Sequence, residues 1–128
     1  MAVRIVRLGS PRVDGEGTRI GTVRRPPRGV PRSEFASRNW YDVWYPDLAP
    51  GPETVRQALA AETPAQWRAF VRKYRREMAA PEAARTIALL AALSRQANFS
   101  VGCYCEEEEH CHRSVLRKLL EEAGGEVV

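Results

Sequence analysis

Lysine, histidine and long apolar runs are all scarce in this sequence. Lysine occurs only at Lys73 and Lys118, the other basic residues are arginine, and no cysteine or histidine precedes residue 103. No apolar stretch reaches the roughly 18 residues that cross a bilayer, and charges interrupt the N-terminal segment where a signal peptide would be apolar. These absences argue against a disulfide-stapled secreted fold and predict a cytoplasmic protein that does not enter the membrane.

The length and composition indicate one domain over residues 1–128. Of the 128 residues, 44% are apolar and 28% are charged, which supplies a core and is too apolar for a disordered chain. The positive charge is concentrated in residues 1–38, which hold nine arginines and three acidic residues. Arginine presents a planar fork that suits phosphate or carboxylate, but a general preference for arginine explains the composition equally well.

Alternating and β-branched residues predict three strands in the first part of the chain, at residues 3–8, 18–23 and 41–45. The second strand ends at residues 24–29, with the sequence RRPPRG. Its two prolines cannot continue a strand ladder, so they predict a stiff turn that presents Arg24, Arg25 and Arg28.

From residue 53 the apolar spacing becomes helical, and a short helix is expected over residues 53–61. Thr63 then has the position of an N-cap before Pro64. The stripe of the following helix comprises Trp67, Phe70, Val71, Tyr74 and Met78. A further helix begins at Pro81 and ends at Asn98, with Ile87, Leu90 and Leu93 expected to be buried.

The C-terminal part predicts a strand over residues 99–103, a helix over 113–123 and one more strand over 126–128. A strand, a helix and a second strand form a βαβ unit, whose right-handed crossover makes the two strands parallel. We therefore predict an α/β fold, a single layered domain with a mostly parallel sheet flanked by helices.

All cysteines and histidines lie between the strand and the helix of this unit. The candidate residues are Cys103, Cys105, His110, Cys111, His112 and Arg113. Open α/β sheets bind their ligands at such a strand-to-helix loop. A helix N-terminus at Cys111 and His112 would favour an anion and lower a thiol pKa.

Three interpretations of this loop remain open. In the preferred one, Cys111 is a polarised catalytic thiol, His112 carries a proton and Arg113 clamps an anion. In the second, Cys103, Cys105, His110, Cys111 and His112 supply metal ligands, although a zinc site normally recruits a second, distant ligand pair, so no cofactor is predicted. In the third, the cysteines are small buried hydrophobes and residues 106–109 are a solvated acidic run.

The arginine turn is the second candidate for a site, against the alternative of an ordinary exposed basic loop. If the strand at 18–23 lies beside the strand at 99–103, Arg24 or Arg28 faces the cysteine loop across the same edge of the sheet. Both features then form one site for an anion.

The motifs resemble those of a bacterial family called domain of unknown function 488. The C-terminal likeness consists of Cys-x-Cys, an acidic insert, Cys111-His112-Arg113, an amphipathic helix and Gly-Gly-x-Val. In the N-terminal half, Val23-Arg24, Pro27-Arg28-Gly29 and Trp40 are similar to segments of the family's short, YeaO-like members. The chain departs from these members at Arg25-Pro26 and in the run of four glutamates. The resemblance implies one α/β domain and supports pairing the two motifs, but it implies no reaction.

The leading hypothesis is a pocket that binds an anionic small molecule or nucleotide and is lined by Arg24, Arg28, Cys111, His112 and Arg113. One alternative is a nucleic-acid-binding module in which Trp40, Tyr41, Trp44 and Tyr45 stack on bases. Another is a thiol redox or metal sensor in which Cys105 and Cys111 pair or bind a metal.

Overall fold

The computed structural model describes residues 1–128, and its central feature is a sheet of four parallel strands. The strands are β1 (Val3–Arg7), β2 (Thr18–Gly21), β3 (Val43–Trp44) and β4 (Phe99–Cys103), in the spatial order β1-β4-β2-β3. β4 therefore lies between β1 and β2, with Ile20 in register with Val101. The adjacency that would bring the arginine turn to the cysteine loop is confirmed.

Four helices complete the predicted α/β fold. They are α1 (Pro52–Ala60), α2 (Pro64–Met78), α3 (Pro81–Ser94) and α4 (His112–Glu122). Thr63 caps α2 as predicted: its hydroxyl accepts from the Gln66 backbone N–H, while the Gln66 side chain accepts from the Thr63 N–H, each at 3.1 Å. No helix has the length and apolar character that a membrane span requires.

Several predicted boundaries are wrong. The third strand comprises two residues rather than five, although the backbone N–H groups of Asp42 and Tyr45 still donate to the Arg19 and Gly21 carbonyls of β2. The terminal strand is reduced to one parallel bridge between Val3 and Val127. The helix after β4, α4, begins at His112, one residue before the predicted start at Arg113.

The end of α3 also differs from its prediction. The helix ends at Ser94 rather than Asn98, and Leu93 is 44% exposed, although Ile87 and Leu90 are buried as expected. Ser94 takes the inward position instead, where its hydroxyl accepts from the Glu126 backbone N–H. This contact ties the chain end to α3.

Two clusters of buried apolar side chains divide the core. The larger lies between the helices and the sheet, and it includes Phe70, Tyr74, Ile87, Phe99, Val101, Leu116 and Leu120. The smaller lies at the carboxyl ends of the strands, and it consists of Leu8, Val23, Tyr41, Cys103 and Cys111. Two of the three cysteines therefore belong to the core, which anchors the loop between β4 and α4.

Candidate functional site

The carboxyl ends of β2 and β4 open into a cavity of about 380 Å³, which we call the cysteine cavity. Its polar and sulfur-bearing lining comprises Arg24, Arg25, Arg56, Cys103, Tyr104, Cys105, His110, Cys111 and His112. Apolar side chains of α1, α2 and the preceding connector, among them Val55, Leu59 and Phe70, complete the wall. The cavity lies where open α/β sheets place ligands, because loops diverge there above the strand ends.

The three thiols converge at one side of this cavity. Cys103 Sγ is 3.8 Å from Cys105 Sγ, and Cys111 Sγ is 3.8 Å from His112 Nδ1. The two thiols of Cys103 and Cys111 and a ring nitrogen of His112 all lie within 4.8 Å of one another. All three cysteines are free, so the group could hold a metal ion or a reactive thiol.

A backbone carbonyl at the end of β2 fixes the orientation of the His112 ring. His112 Nε2 lies 2.8 Å from the Thr22 carbonyl oxygen, and the Tyr74 ring meets the imidazole edge to face with centroids 5.5 Å apart. A carbonyl oxygen only accepts, so Nε2 carries the proton and donates. In the neutral ring, Nδ1 is then unprotonated, and its lone pair is directed to the Cys111 side.

Hydrogen bonds among the thiols separate their pKa values. Bonding to Cys105 and Cys111, together with burial, raises the pKa of the Cys103 thiol. Bonding to Cys103 lowers the pKa of Cys105, with a further contribution from the Arg113 charge. Bonding to Cys103 also lowers the pKa of Cys111, and His112 adds to that effect. These directions make proton loss easier at Cys105 and Cys111 than at Cys103, which acts as the donor thiol.

Arg24 lies at the wall of the cysteine cavity, held by backbone carbonyls. Its Nε and Nη2 donate to the Pro50 oxygen, and Nη2 also donates to the Ala49 oxygen, each at 3.2 Å. Nη1 makes no hydrogen bond within the protein. The connector before α1 thus fixes the guanidinium and leaves one nitrogen for a further acceptor.

Arg28 lies in a neighbouring recess of about 800 Å³, which we call the arginine cleft. The charged and aromatic residues that line it are Arg7, Arg25, Arg28, Trp40 and Tyr104. Arg25 and Tyr104 line both recesses, and the Tyr104 hydroxyl donates to the Arg25 carbonyl at 2.8 Å. This bond forms the partition between the cleft and the cysteine cavity.

The remaining predicted site residues occupy different positions. Arg113 is buried and is not part of the cavity lining; its Nη2 donates to the Cys105 carbonyl at 2.7 Å. His110 is exposed at the cavity rim, 3.3 Å from the Glu107 carboxylate. The geometry therefore brings together Arg24, Cys111 and His112 and separates them from Arg28.

Sequence reasoning missed Thr22, Arg56 and Tyr104. Thr22 follows β2 directly, and its contact with His112 becomes foreseeable once β2 and β4 are taken as neighbours. Arg56 reaches the cavity from α1, a helix whose position no local pattern indicates. The prediction that Tyr41 stacks on nucleic-acid bases is wrong, because the residue is 3% exposed and its ring packs against Phe35.

The chain matches one protein-family model over nearly its whole length. Residues 3–124 match the family model DUF488-N3a, described as the active DUF488-N3 subclade. The chain belongs to the DUF488 family. The match covers both motifs that carried the resemblance, the segment after β2 and the loop between β4 and α4. No curated protein and no solved structure matches this DUF488 chain.

Proposed function

We propose that this DUF488 protein binds an anionic small molecule or nucleotide in the cysteine cavity and acts on it through Cys111 and His112. The observation that carries the proposal is the set of residues that line this one cavity. Arginines of the turn after β2, the three thiols and His112 all belong to its lining. A bound anion would therefore lie beside a nucleophile and a proton acceptor.

The charge of the cavity supports an anionic ligand. Arg24, Arg25 and Arg56 line it, whereas no aspartate or glutamate does. The prolines after Arg25 restrict the turn, so less conformational entropy is lost when its guanidinium groups bind. The apolar wall around Phe70 suits the uncharged part of the same molecule.

The Cys111 thiol has the geometry of an activated nucleophile. It is the N-cap of α4, and His112 Nδ1 stands 3.8 Å from its sulfur. In the proposed step, the thiol proton passes to Nδ1 while sulfur bonds to an electrophilic atom of the ligand. The leaving group departs with the bonding electron pair and takes that proton. The description of the matched subclade as active agrees with a site that performs chemistry.

The other two predicted arginines, Arg28 and Arg113, lie outside the lining of the cysteine cavity. Arg113 positions the loop through its bond to the Cys105 carbonyl, and Arg28 extends the positive surface into the arginine cleft. We also propose a bacterial setting, which the family resemblance implies, and a cytoplasmic one, because neighbouring free thiols are typical of a reducing compartment.

Competing alkylation tests the proposal. Iodoacetate and iodoacetamide transfer similar groups to a thiol, but only iodoacetate is an anion. In the presence of a chelator and a non-thiol reductant, we expect the ratio of the iodoacetate rate to the iodoacetamide rate to be higher at Cys111 than at a free thiol such as glutathione measured separately. Arg24→Gln should lower that preference roughly two- to fivefold, the effect of ~0.5–1 kcal/mol from a partly exposed charge. Peptide mapping locates the modified cysteine.

Two further variants show whether the change in alkylation depends on the residues of the cavity. Arg72→Gln removes an exposed arginine of α2 that lines neither recess, and it should leave the preference unchanged. His112→Asn should slow both reagents at Cys111, because the proton acceptor is lost. A rate ratio at Cys111 no higher than that of the free thiol, or an equal effect of Arg24→Gln and Arg72→Gln, would contradict the proposal.

A second candidate function is single-stranded nucleic-acid binding in the arginine cleft. Arg25 and Arg28 have no carboxylate partner there, and Arg7 meets Glu106 only at 3.7 Å between two exposed side chains. Trp40 and Tyr104 supply aromatic surface beside these charges. A labelled single strand should bind at low salt and lose affinity at higher salt, with weaker binding for Arg28→Gln. Absence of binding at low salt would rule this candidate out.

A further inference from the structure

Among the three thiols and the His112 imidazole, two pairs of atoms have the spacing of neighbouring ligands in a tetrahedral metal site. Ligands at about 2.3 Å from a zinc ion, set at tetrahedral angles, are about 3.8 Å from one another. The Cys103 and Cys105 sulfurs are 3.8 Å apart, and so are Cys111 Sγ and His112 Nδ1. Thiolate and imidazole are the ligands preferred by zinc and cobalt among divalent ions.

The environment of His112 matches what a metal ligand requires. An imidazole that binds a metal through one nitrogen commonly donates its other N–H to a carbonyl or carboxylate. His112 donates from Nε2 to the Thr22 carbonyl at 2.8 Å, which leaves Nδ1 free on the thiol side. The Thr22 carbonyl, directly after β2, therefore fixes the orientation of the ring without a bound ion.

Burial distinguishes the four ligands. Cys103, Cys111 and His112 are buried, and their ligand atoms lie within 4.8 Å of one another. Cys105 is half-buried and lines the cysteine cavity beside Cys103. His110, by contrast, is exposed and interacts with Glu107. The first three residues supply ligand atoms that are mutually close, and Cys105 lies next to this group through its 3.8 Å contact with the Cys103 sulfur.

We propose that Cys103, Cys105, Cys111 and His112 bind one zinc-class ion as a Cys₃His site. One strand, one loop and one helix supply all four ligands, so no distant second pair is needed. The inference does not depend on anion binding by the arginines. Metal at Cys111 removes that thiol from the step proposed above but leaves the arginines in place, so the two proposals are tested separately.

Cobalt substitution tests this site. The reduced chain of residues 1–128, titrated with Co²⁺, should bind one equivalent and show tetrahedral visible bands with a sulfur-to-cobalt charge-transfer band. Cys105→Ser should reduce the charge-transfer absorbance by about one third, because one of three thiolate ligands is lost. Zn²⁺ should abolish the cobalt spectrum, and the wild-type protein with zinc should have all three thiols protected from alkylation.

His110→Asn is the matched control for His112→Asn. The first should retain the tetrahedral spectrum and the second should lose it, with circular dichroism confirming that each variant folds. If His112→Asn does not fold, thiol protection by zinc in the wild-type protein still decides the question. An octahedral cobalt spectrum, alkylation of all thiols in excess zinc, or an equal loss in both histidine variants would overturn the proposal. None of these readouts responds to a failure of anion binding.

Discussion

At the scale of the residue, the most consequential group outside the cavity is a buried ion pair beneath the sheet. Arg19 Nε donates to Glu16 at 2.8 Å, with side-chain exposures of 0% and 2%, and Ser100 donates to the same carboxylate at 2.6 Å. Arg19 also donates to the Ser10 and Asn39 carbonyls. Part of the arginine surplus of residues 1–38 is therefore structural, and it holds two loops against β2 rather than facing a ligand.

Loss of the Glu16 charge should destabilise the protein strongly. We expect Glu16→Gln to lower the free energy of unfolding by about 3–5 kcal/mol, because it leaves a buried guanidinium without its counter-charge. Urea denaturation followed by circular dichroism measures this change. A double variant that also carries Arg19→Met should lose less than the sum of the two single changes. A cost below about 1 kcal/mol for Glu16→Gln would show that water reaches the pair.

The same carboxylate gives a second readout, in the acid range. Burial opposes its ionisation, but hydrogen bonds from Arg19, Ser100 and the Val13 N–H lower its pKa from 4.5 to about 2. A carboxyl whose pKa is lower in the folded state stabilises the fold above its unfolded pKa, and this stabilisation is lost as the pH falls. The wild-type protein should therefore lose stability between about pH 5 and 2 more steeply than Glu16→Gln.

At the scale of the element, the segment from β4 through α4 carries the site. β4 is buried along its whole length, which fixes Cys103 at its end. The N-terminus of α4 then places Cys111 and His112 near the end of β2. Glu108, which precedes this helix, accepts hydrogen bonds from Arg117 within it. A buried strand and a helix thus hold the two ends of the acidic loop, in which Glu106, Glu107 and Glu109 are exposed.

The capping box of α2 gives a prediction at this scale. Thr63→Ala should cost ~1 kcal/mol of unfolding free energy, because the first turn loses an acceptor for its unpaired N–H groups. Thr63→Ser keeps the hydroxyl and should cost much less. Thermal or urea unfolding of the three proteins measures the difference. Equal stabilities of the alanine and serine variants would show that the cap contributes nothing.

At the scale of the whole molecule, the order of the strands makes the fold depend on both ends of the chain. β1 and β2 do not pair with each other; each pairs with β4, which comes about 80 residues later than β2. Both the sheet and the cysteine cavity therefore form only when residues distant in sequence meet. Such long-range pairing links formation of the site to formation of the whole domain.

A fragment of residues 1–94 should consequently not fold. Without β4, β1 loses its strand partner, β2 keeps only the two-residue β3, and the buried face of α2 loses most of the sheet that it covers. We expect the fragment to show no cooperative thermal transition by circular dichroism, whereas the full chain unfolds in one step. A cooperative transition in the fragment would show that α1 to α3 form an independent unit.

The sequence by itself determined the types of the four helices and of β1, β2 and β4, and the chemistry of the loop. Periodicity identified α2 and its N-cap, because Thr63, Pro64 and the apolar stripe act within a few residues of one another. The cluster of cysteines and histidines was visible as composition, and the family followed from the same motifs. Local signals of this kind do not depend on which elements later become neighbours.

Only the tertiary structure decided how these residues are arranged. It assigned Arg24 and Arg28 to different recesses, buried Arg19 and Arg113, and turned His112 toward the thiols through the Thr22 carbonyl. Each outcome depends on β4 lying between β1 and β2, which no short-range pattern records. Side-chain direction at a sheet edge follows from the neighbouring strand, so the geometry of the site required the fold.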